Sequence, residues 1–297
     1  MSDTLASLRR KISGAGDLKS VVRSMKALAA SSIGQYEKSV LALVDYDRTV
    51  EFGLAVSLRN RHAAAEQAGR PGAVAKTVTA IVFGSDQGLV GQFNDVLVDF
   101  VAKALDPLPG EKKVWAVGER VQARLADAGL PPVGLFNVPT SVSAITPLVG
   151  QILVGTEAHD EKHERIQLYL FHNSPKAGAA YEPVSQHLLP LDRHWGLRLA
   201  HLPWPTENLP EVIGGRERTL EALVREYLFV SLYRACAESL AAENASRLAA
   251  MQRAEKNIDD LVGSLNQTFR RLRQTSIDEE LFDVISGYES LSKAKTR

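Results

Sequence analysis

The sequence predicts an α/β protein whose N- and C-terminal helices pair as a long antiparallel two-helix coiled coil around a central, Rossmann-like, mostly parallel sheet. Three observations predict this. All 13 prolines lie between Pro71 and Pro210, so neither end of the chain contains one. Apolar residues recur in both ends at a mean spacing of about 3.5, the period of a left-handed coiled coil. The stretch between alternates strand-like and helix-like segments. The expected organisation is an N-terminal helix in 1–70, a central α/β domain in 71–210, and a C-terminal helix in 211–297 that pairs with 1–70.

The N-terminal helix is read from Leu5, Leu8, Ile12, Ala15, Leu18, Val22, Met25, Ala29, Ile33, Tyr36, Val40 and Leu43, which fall three or four residues apart. Proline inside a helix costs about 3 kcal/mol, so its absence is what a long helix requires. Gly14 and Gly16 are weak helix formers, each costing about 1 kcal/mol relative to alanine, and predict softness or a bend there.

The C-terminal helix carries the stronger pattern. A strict alternation of three and four from Leu220 to Leu272 meets polar residues only at Arg234, Asn244 and Glu255. A continuous helix from about Glu211 to Ser286 would be roughly 110 Å long. Its seam needs a partner, and the N-terminal helix is the only other long one the sequence offers. Ala237, Ala241, Ala245, Ala249 and Ala250, with Ala27, Ala29 and Ala30, give both helices small side chains. These allow close approach of the two backbones, and alanine is also the best intrinsic helix former.

Between the helices, KTVTAIVFGSD reads as a buried strand and FNDVLVDFVAKAL as a helix. KKVWAVG is a second strand, and ERVQARLADAG a helix with Gly129 at its C-cap. VGLFNV is a third strand, followed by a helix after Pro147 to about residue 157. RIQLYLFHNS and EPVSQHLLPL complete the strand set. Residues 191–210 are expected to be irregular.

Composition narrows the function. Lys+Arg and Asp+Glu both number 35, so the net charge is zero and gives no global attraction to nucleic acid or anionic lipid. The single cysteine, Cys236, excludes an internal disulfide and reads as a packed helical side chain. The histidines show no metal-type spacing, and no cofactor is implied. The N-terminus lacks the apolar core of a signal peptide, and no window reaches the roughly 20 apolar residues of a membrane helix. A cytoplasmic protein is expected, docked to a membrane through others.

The one segment that invites a catalytic reading is GSDQGLVGQFN, Gly84 to Asn94, which follows a strand and precedes a helix. Phosphate loops occupy that place in α/β enzymes. The segment matches neither G-x-G-x-x-G nor G-x-x-x-x-G-K-[ST], and Asp86 has no evident acid/base partner. A structural turn is the favoured reading. An α/β nucleotide- or phosphate-binding enzyme with helical extensions is the alternative, and a coiled-coil scaffold for nucleic acid is a third.

Three stretches resemble one family. LRRKISGAGDLKSVVRSMKALAASSI (8–33) has a basic opening and an x-Met-x-x-x-Ala-Ala run. SDQGLVGQFN is similar to a Ser-Asp-x-Gly-Leu-x-Gly-x-x-Asn segment. ENASRLAAMQRAEKNIDDL (243–261) and RLRQTSIDEELFDVISGYESL (271–291) resemble a C-terminal signature. The family is the gamma subunits of F-type ATP synthases, and the stretches cover about a quarter of the chain in the expected order. The N-terminal run is closer to the alternate, N-type branch of these ATPases.

The resemblance implies a non-catalytic central rotary shaft. Its partners are the alpha and beta subunits of the ATPase hexamer, the epsilon subunit and the membrane c-ring. Its place is peripheral, on the cytoplasmic side of a bacterial plasma membrane, and the coupling ion, proton or sodium, stays open. By the resemblance Arg23, Met25 and Lys26 contact beta on the N-terminal helix, and Arg247, Arg273 and Gln274 match positions that hydrogen-bond a beta loop. Ser85, Asp86, Gln87 and Gly88 are assigned to the base, toward epsilon and the ring. Up to Ser39, seven Lys/Arg stand against Asp3, Asp17 and Glu37, a local positive excess that fits an acidic partner surface.

Overall fold

The computed structural model describes residues 4–66, 77–158, 166–176, 181–191, 204, 206–208, 210–212 and 215–294. Most of the irregular stretch expected over 191–210 lies outside them. The chain forms two compact units, one of residues 1–28 and 248–297 and one of residues 29–247. Helix α1 (Leu5–Ala42) and the last helix, α6 (Arg216–Ala294), each contribute to both.

Helix α1 runs unbroken through Gly14 and Gly16, where open space surrounds the missing side chains. The interruption comes instead at Leu43, a turn whose N–H reaches back to the Val40 carbonyl before α2 (Val44–Glu66) begins. Leu8, Ala15, Val22, Ala29 and Tyr36 are buried, one every seventh residue. The other seam row departs from the sequence reading at one position. Leu18 is 53% exposed. Lys19 and Lys26 are half-buried in its place, their aliphatic stems covering the seam while the ammonium groups reach carboxylates.

In the unit of residues 1–28 and 248–297, Ala15, Val22, Met251 and Ile258 form the apolar core, with Met25, Ala254 and Val262 against it. Polar contacts fix the direction. Arg9 lies over the Phe269 ring, Lys19 bonds Asp259, and Arg23 bonds Glu255. Each step forward along α1 is matched by an equal step back along α6, so the pairing is antiparallel.

The unit of residues 29–247 is built on a five-stranded sheet of β1 (Thr77–Phe83), β2 (Glu111–Val117), β3 (Gly134–Phe136), β4 (Ile166–Pro175) and β5 (Tyr181–Leu189). The order is β3-β2-β1-β4-β5, parallel except for the antiparallel edge strand β5. Strand β1 is buried on both faces, as a central parallel strand must be. Val78, Ala80 and Val82 pack against α3 (Phe93–Leu105) and α4 (Glu119–Asp127). Ile81 and Phe83 face α5 (Ile145–Ala158) together with Tyr36 of α1, Val50 and Leu54 of α2, and Leu232 to Ala241 of α6.

Candidate partner interface

The family-matched residues fall into two groups, one in each unit. In the coiled coil, Arg23 Nε donates to Glu255 Oε1 at 2.8 Å and Lys26 Nζ to Glu255 Oε2 at 2.5 Å. One carboxylate thus holds two cations from successive turns of α1. The hydrogen bonds from Arg23 and Lys26 hold the Glu255 carboxyl down at about 2, and the same pairing raises the Arg23 guanidinium. Met25 lies between them on the apolar side of the helix. Arg273 and Gln274 are exposed on α6, about five turns beyond Glu255 and roughly 27 Å along the axis.

The sequence alone assigns Glu255 no function. Its signal was present, because it is one of three polar residues that break the apolar alternation of α6. Each of the three has a polar role. Arg234 bonds Asp47 of α2 at 2.5 Å, Asn244 bonds the Leu240 carbonyl, and Glu255 bonds Arg23 and Lys26.

In the sheet unit, Ser85 to Gly88 form the crossing that follows β1. Ser85 is fully buried. Its N–H donates to Asn94 Oδ1, and Asn94 Nδ2 donates back to Ser85 Oγ at 2.9 Å. Ser85 Oγ donates to the Gln87 carbonyl, and the Ser85 carbonyl accepts from Arg120 N–H. Asp86 accepts from two other crossings, Glu119 N–H at 3.0 Å and Val138 N–H at 2.9 Å. The carboxylate is therefore a brace across the ends of β1, β2 and β3. Gln87 and Leu89 project outward, and Leu89 takes a left-handed φ of 63°.

The same crossing grips α6. Ser246 Oγ donates to the Val90 carbonyl at 2.6 Å, and Ser239 Oγ to the Phe83 carbonyl at 3.1 Å. Ala242, between them, packs on Val90 and Phe93. On β4, His172 Nε2 and Ser174 Oγ both meet Glu238 Oε2. Burial pushes the Glu238 carboxyl up, but these hydrogen bonds and nearby Arg234 bring it below its usual value.

Arg247 is drawn into this unit. Its side chain is 13% exposed, and the guanidinium donates to Glu243 Oε1 at 2.5 Å. A recess of about 210 Å³ brings Arg247 and Glu243 together with Asp86 and Gln87. Of the sequence-assigned residues, the structure therefore brings Arg23 and Lys26 to Glu255, with Met25 in the adjoining apolar core, and gathers Asp86, Gln87 and Arg247 around Glu243. No helix among the described residues is long and apolar enough to cross a membrane.

Comparison with known proteins adds three findings. A family model described as ATP synthase matches residues 4–291. An ATP synthase gamma chain of Lachnoclostridium phytofermentans is 28% identical over 222 residues, 71% of this chain and 73% of that one. Among solved structures, a chain of the Euglena gracilis mitochondrial ATP synthase in an OSCP/F1/c-ring assembly aligns with a TM-score of 0.66 at 13% identity, covering 99% of this chain and 96% of its own. A central stalk/c-ring structure of the Tetrahymena thermophila enzyme gives 0.55 at 21% identity, covering 79% and 99%.

Proposed function

The chain belongs to the ATP synthase family and is a gamma chain of it, and from that premise we propose that it is the central rotary shaft of an F-type ATP synthase or ATPase. In this reading it couples ion movement through a membrane ring to ATP synthesis or hydrolysis on the beta subunits. It is a non-catalytic subunit, and it sits peripherally on the cytoplasmic side of a bacterial membrane. Its partners are alpha, beta and epsilon subunits and the ring. The observation that carries the reading is the family match along residues 4–291, which takes in both terminal helices as well as the sheet.

The physical requirements of a shaft support it. Torque needs helices that resist sliding, and the antiparallel pair is indexed by Arg9, Lys19, Arg23 and Lys26 against named positions on α6. It needs a sheet unit fastened to the same helix, as the Ser239, Ser246 and Glu238 contacts do. The chain's contribution is a coupling free energy transmitted between partners, not a chemical step. Arg23, Met25, Lys26, Arg247, Arg273 and Gln274 are assigned to the alpha/beta hexamer. Arg273 and Gln274, both exposed, suit a hydrogen-bonded contact with a carboxylate-bearing loop. In the base assignment, Gln87 and Gly88 offer the contact surface, while buried Ser85 and the Asp86 brace shape it.

As for an enzymatic alternative, the polar atoms of Ser85, Asp86 and Asn94 are engaged inside the chain, which favours a structural crossing over a phosphate loop. Capture of the tagged chain from native membranes should recover alpha, beta and epsilon subunits, and recovery without them would end the proposal. Within the captured complex, Arg273→Ala with Gln274→Ala should lower ATP-driven ion pumping several-fold per ATP hydrolysed while the chain's own melting is unchanged. Pumping equal to wild type would remove these two residues from the interface.

A further inference from the structure

The recess beside Arg247 has an acidic floor with unused bonding capacity. Glu243 is 5% exposed, yet its Oε2 has no hydrogen-bond partner, while Oε1 takes Arg247. A buried carboxylate oxygen without a donor is costly and rare. Two carboxylates line the recess, Glu243 and Asp86, against the single cation Arg247. That cation already bonds Glu243 Oε1 and the Asn244 side-chain Oδ1, and its buried Nε has no hydrogen-bond partner. Burial, with a further push from Asp86, raises the Glu243 carboxyl above its usual value against the opposing pull of Arg247.

The walls say what shape of group fits. Val138, Pro139, Leu240 and Tyr36 contribute apolar surface to the lining beside the two carboxylates. An apolar lining beside acidic groups suits a long aliphatic stem ending in a cation. A hard metal ion would instead want several free oxygens. Both Asp86 oxygens already accept backbone N–H groups, and Glu243 has one oxygen to give.

We propose that this recess is a socket for a lysine or arginine side chain of a partner subunit, whose cationic head bonds Glu243 Oε2 on the floor. The proposal rests on the reading of the chain as a subunit of a rotary complex, and adds to it the chemistry of one contact.

A photoreactive benzophenone amino acid placed at exposed Gln87, on the rim, tests this in the assembled complex captured through the tagged chain. Ultraviolet irradiation should give an adduct on a partner peptide carrying Lys or Arg at or beside the attachment point. Glu243→Gln, nearly isosteric but neutral, should cut the adduct yield several-fold. Thr140→Lys, at an exposed position on the rim, supplies an ammonium from the chain itself. It should abolish the adduct and raise the chain's melting temperature, a readout that stands even if Glu243→Gln folds poorly. The proposal is overturned by an adduct on a peptide without basic residues, by a yield indifferent to both substitutions, or by an intact complex that gives no adduct because solvent alone fills the recess. Capture without alpha and beta would overturn the rotary reading as well, which separates the two failures.

Discussion

Glu255 shows how much of the coiled coil one residue decides. A carboxylate in an apolar seam is unfavourable unless it is paired, and here Arg23 and Lys26 both reach it. Polar seam residues trade stability for a unique register, because any slip strands the charge. Its pairing with the two cations, Arg23 first, lowers its carboxyl from 4.5 to about 2 in the folded chain. A depressed carboxyl stabilises the fold above its unfolded value, and that contribution disappears as pH falls through the folded one. The difference in melting temperature between wild type and Glu255→Gln should therefore be constant above pH 4.5 and close progressively toward pH 2. A gap that persists undiminished at the acid end would show that Glu255 acts through packing, not charge. The sequence exposed this residue as an interruption of the alternation. It did not expose the partners, because which cations of α1 reach Glu255 depends on where α6 lies. For the same reason Leu18 reads as buried in the sequence and is exposed in the fold.

At the scale of elements, strands and crossings were the most legible. FNDVLVDFVAKAL is the observed α3, and Gly129 takes the positive φ of 78° that a helix C-cap favours. Burial on both faces gives central strands their unbroken apolar runs, so β1 and β2 announce themselves. Strand β3, with three residues, is shorter than its apolar run suggests, because it pairs only along Trp115 to Val117. What the sequence left hidden is why the crossing after β1 must have its composition. A Cβ on Gly84 would stand 2.3 Å from Val121 Cβ and 2.8 Å from Asn94 Oδ1. Glycine is needed there for clearance, since α4 and the Asn94 brace converge on one backbone position. Gly84→Ala should cost about 1–3 kcal/mol in urea unfolding, the usual range for overpacking. Pairing it with Val121→Gly, which removes both Val121 atoms that a Cβ at position 84 would strike, should recover part of that loss, making the double variant less destabilised than the two singles added together. Strict additivity would mean that Asn94, not Val121, takes the strain.

Over the whole molecule, the C-terminal helix changes character along its length, and function follows the change. Near Glu255 it buries one face against α1 in a two-helix unit. Between Val230 and Ser246 it is buried on nearly every side within the sheet unit, which explains its small residues Ala235, Ala237, Ala241, Ala242 and Ala245. The sequence showed Ala237, Ala241 and Ala245 but could not choose between helix propensity and close packing. Enclosure on all sides, which demands small side chains everywhere, decides for packing at Ala237, Ala241 and Ala245, whereas Ala27 and Ala30 are exposed and follow helix propensity. A smooth alanine cylinder would turn easily in its sleeve. Ser239 and Ser246 prevent this, because they lie two turns apart on one face and bond the Phe83 and Val90 carbonyls of the sheet unit. Ser239→Ala and Ser246→Ala each leave a buried carbonyl without its donor, at about 1–3 kcal/mol apiece. Because the serines lie some 10 Å apart and share no partner, their costs should add. Urea unfolding followed by tryptophan fluorescence should show that additive loss in the double variant with an unchanged dependence on denaturant. A double variant as stable as wild type would mean that packing alone indexes the helix, and that resistance to rotation inside the sheet unit has its origin elsewhere.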